Sequence, residues 1–181
     1  MPVVSGGGAS GAISGVTVTG TAAASQVPVA SSSSAGAWAY PPGFEINYTQ
    51  ITAGVNVAST TEATPTTIIS PGAITFDGTA VLVHFYSPAV KPPTAAAGDF
   101  LRVSLYEGAT EIGLVAFLQQ PASTAQESVP VTGWLRFTPT AASHTYTIGA
   151  SVNSTTGTPT ISAGAGGTAT FVGAFVRFTK V

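Results

Sequence analysis

The sequence predicts an all-β protein: a two-sheet jelly-roll sandwich of about eight strands, preceded by an extended low-complexity N-terminal arm. Three observations carry this. Apolar residues recur with a period of two from Phe44 onward, Thr and Val are abundant, and turns rich in Gly and Pro separate the runs. No stretch shows a 3.6-residue apolar period, so helix is marginal at most. Eight or so strands, several too long for a simple meander, favour a sandwich, with a jelly roll ahead of an immunoglobulin-like topology.

Texture divides the chain into an arm with a Pro/Gly hinge, residues 1–43, and a head, residues 44–181. No charged or aromatic residue occurs from Met1 to Ala37. Such a segment buries too little surface to offset about 1–2 kcal/mol of backbone entropy per ordered residue, so its order calls for a partner, most economically another chain. VTVTG (Val16 to Gly20) and VPVA (Val27 to Ala30) read as short strands suited to addition at a neighbouring sheet edge. In AWAYPPGF, Pro41 and Pro42 interrupt any continuous strand and Gly43 permits a sharp change of direction.

The head elements follow in order. FEINYTQIT starts at Phe44, then VNVAS; ATPTTIIS and AITF flank the turn Pro71-Gly72, and Asp77-Gly78 turns the chain into AVLVHFYS. KPPTAAAGD is a proline-bearing loop. FLRVSLYEG and EIGLVAFLQQ form a hairpin around Glu107 to Thr110, and SVPVTGWLRFTP, SHTYTIGASVN and TATFVGAFVRFTKV complete the set. Leu101, Val103 and Leu105 alternate with Arg102 and Ser104, as in a half-buried strand. The last strand and AVLVHFYS are apolar on both faces. A sandwich strand buries only one, so the second is to be covered by the arm, a loop or another subunit; Tyr86, Phe117, Phe175 and Phe178 are the candidate subunit-interface residues.

Composition limits the function classes. At 181 residues the chain has room for one core. Charged residues are 7% and net charge is −2, and five Lys and Arg cannot form the basic footprint of a nucleic-acid binder. No apolar run of about 18 residues and no basic amphipathic helix suggests a membrane. Cysteine is absent, which excludes thiolate chemistry, and no secretory signal is visible, so an intracellular origin is expected. Low charge also suggests faces covered by copies of the chain or by an assembly.

Candidate chemistry is sparse, and no catalytic, cofactor-binding or metal-binding residue is expected. His84 and His144 each sit in a strand pattern with no ligand or carboxylate nearby in sequence, so a metal site or a Ser/His/Asp triad would have to be assembled wholly by the fold. Asp77, Asp99, Glu107, Glu111 and Glu127 show no spacing that nominates a glycosidase pair and read as surface or turn residues. Gly6, Gly8 and Gly11 match G-x-G-x-x-G without its strand, helix or acidic residue, and GAGG at Gly164 to Gly167 reads as a turn. Trp134, Tyr40 and Tyr106 are the candidates for a sugar-stacking platform, although strand aromatics are more often core or interface.

SHTYTIGASVN, the turn GAGG and FVGAFVRFTKV resemble the last two strands of the C1q/TNF-like jelly-roll domains found in structural proteins of tailed bacteriophages. FDGTAVLVHFYSPAV and GDFLRVSLYEGATEIG are similar to their middle strands, and GTAAASQVPVASSSSAGAWAYPPG resembles the connectors before phage head domains. The resemblance implies a homotrimer without catalytic residues or cofactors, located in the virion and assembled in the host cytoplasm. Its arm would bind a capsid or tail protein, with Val16, Val18, Val27 and Val29 as small anchors. No long coiled-coil or collagen-like stalk separates arm from head, which favours a compact knob near the particle surface. The alternative expectation is a tail-fibre head that recognises host-surface glycan.

Overall fold

The computed structural model describes residues 11–13, 16–18, 20–22, 25–30, 35–94, 96–121 and 128–181, and every regular element among them is a strand. The readings placed on Gly6, Gly8 and Glu127 lie outside these residues. Four strands belong to the arm: β1 (Gly11–Ile13), β2 (Val16–Val18), β3 (Val27–Ala30) and β4 (Ala35–Ala39). Eleven form the head: β5 (Glu45–Ile51), β6 (Val55–Asn56), β7 (Thr66–Ile69), β8 (Ala73–Thr75), β9 (Val81–Lys91), β10 (Phe100–Glu107), β11 (Thr110–Gln119), β12 (Val129–Phe137), β13 (Ser143–Val152), β14 (Thr160–Ser162) and β15 (Ala174–Lys180).

The head strands pair in jelly-roll order. One sheet runs β5-β15-β9-β12, with β14 and β6 continuing beside the far half of β9; the other runs β11-β10-β13, with β7 and β8 sharing the free side of β13. Pro88 explains the divided neighbour. It lies inside β9 where the register to β12 slips between Val129 and Val131, and there β9 changes partner from β15 to β14. Alternation places Val81, Val83 and Phe85 opposite Leu101, Val103 and Leu105 in a core completed by Ile148, Ile161, Val176 and Phe178. Phe76 caps one end of that core, meeting Phe137, Tyr146 and Phe178 with ring centroids 5.7–6.4 Å apart.

The two sheets approach most closely at glycines along one edge. Gly133 of β12 faces β11 so closely that a Cβ there would lie 2.0 Å from Val115 O, and a Cβ at Gly113 would lie 3.0 Å from Leu135. This seam closes the sandwich along the β11–β12 side.

The arm strands pair with one another rather than with a separate sheet. VTV pairs antiparallel with β1 and parallel with Ala35–Gly36, while VPVA pairs antiparallel with β4, giving the order β1-β2-β4-β3. Self-pairing satisfies the backbone groups that strand addition would otherwise direct to a partner. Trp38 Nε1 donates to Gly20 O at 3.1 Å. Val18 is buried in this small sheet, which removes it from the anchor set; Val27 and Val29 stay exposed on the edge strand β3, and Val16 has no described side chain.

The predicted hinge is a latch. Gly43 N donates to Lys180 O and Lys180 N to Phe44 O, both at 2.9 Å, and Tyr40 stacks flat on Phe44 at 5.0 Å. Asp77 accepts from Tyr40 N (3.0 Å), Thr79 N (3.1 Å) and Lys180 Nζ (3.2 Å), with both ion-pair side chains at least nine-tenths buried. The chain therefore enters and leaves the head at one end. Residues 163–173, which link β14 to β15, lie at the opposite end, because β14 pairs with Ala89–Lys91 while Lys180 pairs with Val81.

Candidate functional site

The outer faces of the two sheets differ. Over β13 and β10, residues 58–65 lie as a cover: Val152 N donates to Ser59 O at 3.0 Å, and Pro65 presses on Gly149 and Tyr106 so closely that a Cβ on Gly149 would meet both within 3 Å. Glu62 on the cover is ion-paired with Arg102, which also holds Glu111 at 2.8 Å. Tyr106 is 1% exposed in consequence, so it cannot serve as a sugar platform, and Tyr40 is buried in the latch. A cleft of about 400 Å³ beside the cover is lined by Thr60, Thr61, Glu62, Phe100, Ser151 and Asn153. Its amide is committed: Asn153 Oδ1 accepts from Phe100 N and Nδ2 donates to Asp99.

Among the described residues, nothing comparable covers the outer face of the β5-β15-β9-β12 sheet. Register sets its side chains in rows. Tyr48, Arg177, His84 and Trp134 follow one another across the four strands, and Gln50, Phe175, Tyr86 and Thr132 form the row beside them. Phe175 lies 5.3 Å from Tyr48, 5.5 Å from Tyr86 and 5.2 Å from His84, and His84 stacks on Trp134 at 3.6 Å with the planes 7° apart. Tyr48 is 46% and Trp134 50% exposed. The rings thus form one continuous aromatic surface across the sheet.

Electrostatics add detail. His84 Nε2 bonds Thr132 Oγ1 at 2.9 Å, while its Nδ1 and Arg177 Nε are buried without a partner among the described residues. Burial, then the nearby Arg177 charge, lowers the His84 pKa below 6.5, so the ring is neutral at pH 7 and suited to stacking. Of the predicted interface residues, Tyr86 and Phe175 lie on this face. Phe117 is 51% exposed on β11, stacked on Phe100 at 5.4 Å. Phe178 points the other way and is 0% exposed in the core, which removes it from the set: in a strand apolar on both faces, pattern alone could not say which face turns inward.

The fold does assemble an acid–imidazole–hydroxyl series. Glu107 Oε1 lies 2.6 Å from His144 Nδ1, and His144 Nε2 lies 3.0 Å from Thr140 Oγ1. The Thr140 carbonyl also lies 3.1 Å from Nε2 and takes its hydrogen, so this nitrogen is not free to accept a proton from the hydroxyl. The bond to Glu107 raises the His144 pKa against the opposing effect of burial, and the group is a structural ion pair between β10 and β13. Because the folded value lies above 6.5, its stabilisation is present below about pH 6.5 and lost as pH rises through the raised value. Wild-type melting temperature should therefore fall across that window, and His144→Gln should flatten the fall; identical pH profiles would show that the pair does not contribute. His84 acts with the opposite sign, below pH 6.5.

Among the described residues no group of three or more His, Asp or Glu could hold a metal ion. Asp77 and Asp99, read as surface or turn residues, are buried turn acceptors; Asp99 takes hydrogens from Ala96 N and Asn153 Nδ2. GAGG forms the turn expected of it, with Gly164 N donating to Val172 O and Gly166 N to Phe171 O. That connection exposes Phe171 and Val172 at the end opposite the latch, a feature concealed in sequence by the strand-like run that contains them.

No protein-family model matches the chain, and neither does any curated protein sequence. Among solved structures, a carbohydrate-binding module from Cellvibrio mixtus lichenase 5A, in complex with cellotriose, is 13% identical over 76% of this chain and 90% of its own, with a TM-score of 0.34. The C-terminal carbohydrate-binding module of a marine laminarinase from Zobellia galactanivorans is 14% identical over 74% of this chain and 100% of its own, with a TM-score of 0.28. At those scores the likeness assigns no function.

Proposed function

We propose that this protein is a non-enzymatic structural component of a tailed-bacteriophage particle: a homotrimeric jelly-roll knob, held to a capsid or tail protein through its N-terminal region. The observation that carries the reading is the asymmetry of the outer faces. Among the described residues the chain covers one sheet with its own residues 58–65 and leaves the exposed Tyr48 and Trp134, with the half-buried Phe175 and Tyr86 between them, open on the other. Each 100 Å² of such surface covered contributes about 2.5 kcal/mol. Leu114 and Phe117 offer a second exposed apolar patch on β11, at the side of the head bounded by the seam. Two unlike patches on one chain suit a head-to-tail contact, which forms a ring when its rotation closes, as it does in a trimer. The exposed edge of β3 is the part of the arm available for binding the particle.

Sedimentation equilibrium of the full chain tests the oligomer. A species of three times the 17.9 kDa chain mass is expected, and Phe175→Asp should reduce it to a folded monomer. A wild-type monomer at micromolar concentration would overturn the reading. Attachment is tested separately: removing residues 1–37 should leave the trimer intact but abolish its incorporation into particles.

One observation favours glycan recognition as a second reading: the half-exposed Trp134 ring backed by His84. A glycan array that lights up with wild type and loses signal with Trp134→Ala would support it.

A further inference from the structure

The open face is not uniformly apolar. Below the row that contains Trp134 lies another, set by register: Glu45 opposite Thr179, Thr179 opposite Leu82, Leu82 opposite Arg136. Glu45 stands on one lateral edge of the sheet and Arg136 on the other. Both are exposed, and neither has a hydrogen-bond or ion-pair partner among the described residues. The other carboxylates and cations of the head are mostly committed: Glu62 and Glu111 to Arg102, Glu107 to His144, Asp77 to Lys180. Three interstrand spacings, about 14 Å, separate the two edges, which is too far for Glu45 and Arg136 to meet within one chain.

Copies related by rotation about an axis parallel to the strands keep every row at its own height. If their open faces turn toward that axis, the β5 edge of each copy meets the β12 edge of the next. From this placement we infer that Glu45 of one copy pairs with Arg136 of its neighbour, an intersubunit ion pair that fixes the height at which copies engage. The inference rests on the homotrimer reading and names the partner as a second copy of this chain. The aromatic rows supply non-directional burial, which tolerates sliding along the strands. A charge pair at the rim does not, because a shift by one pair of residues moves the charges apart by about 7 Å.

Charge reversal in the full chain tests this. Glu45→Arg sets two cations against each other at every contact, and Arg136→Glu sets two carboxylates; each should raise the protein concentration at which trimers dissociate by about tenfold or more, measured by sedimentation at low salt. The double variant restores opposite charges in exchanged positions and should bring the dissociation point back to within about threefold of wild type. Both sites are exposed, and circular dichroism melts of each variant check that the head stays folded. Trimers indifferent to either single reversal, or a double variant no better than the worse single, would overturn the ion pair while leaving the homotrimer standing. A wild-type chain that is monomeric throughout would overturn the homotrimer itself.

Discussion

Gly133→Ala is expected to lower the melting temperature by about 6–12 °C or more. The added Cβ would sit 2.0 Å from Val115 O, 2.8 Å from Val115 C and 3.1 Å from Ala116 Cβ. Ordinary overpacking costs about 1–3 kcal/mol because neighbouring side chains can shift. Here the obstruction is the main chain of β11 at Val115, a bulged residue held from both sides by the pairing of Leu114 and Ala116 to β10, so relief requires the sheets to part along the seam. A cost of about 3 kcal/mol or more follows, and at about 2–4 °C per kcal/mol for a chain of this size the shift is easily measured. Gly54→Ala provides the control, since a Cβ there meets Ile161 O at an ordinary 3.4 Å. Calorimetric melts of the two variants should differ widely; equal melting temperatures would mean that the seam is not the tight contact described.

Lys180→Met should destabilise the head by about 3–5 kcal/mol, because removing one partner of a buried ion pair strands the other. The Asp77 carboxylate would keep its bonds from Tyr40 N, Thr79 N and the Thr79 hydroxyl but lose its cation. Combining Lys180→Met with Asp77→Asn should recover part of the loss, which tells the stranded charge apart from lost packing. Acid titration gives an independent measure. Burial alone would raise the Asp77 pKa, but bonds from Thr79, Tyr40 N and Lys180 together outweigh it and hold the value below 3.8. The group therefore stabilises the fold above about pH 4, and this contribution disappears as pH falls through the lowered value. Wild type should lose stability steeply in that range, whereas the double variant should not.

The head was largely legible because each strand carries its own period. FLRVSLYEG gave β10 almost to the residue, and the hairpin at Glu107 to Thr110 appears as β10 and β11 joined there. Strand boundaries failed where a local pattern was overridden by tertiary pairing. AVLVHFYS extends through Pro88 to Lys91 because β14 takes over as its partner, and β14 itself is three residues that no period could reveal. The aromatic face was half legible. Phe175 and Tyr86 were singled out by their strand patterns, but Tyr48 and the His84–Trp134 stack depend on cross-strand register, which brings together residues 50 positions apart in the stack and 127 apart in Tyr48–Phe175. In the arm, composition indicated a segment unable to order itself, and it missed that VTV, VPVA and AGAWA are mutually complementary edges.

The latch has a practical consequence for anyone fusing cargo to this protein. Val181 N is bonded to Ala80 O at 3.1 Å, one residue past the Lys180 that grips Gly43 and Phe44. A tag fused after Val181 would emerge beside Gly43 and Phe44, at the root of the arm. The connection between β14 and β15, where Phe171 and Val172 already project into solvent, points away from that root. An epitope inserted there would project from the end of the head opposite the latch, with both flanking strands still paired to β9.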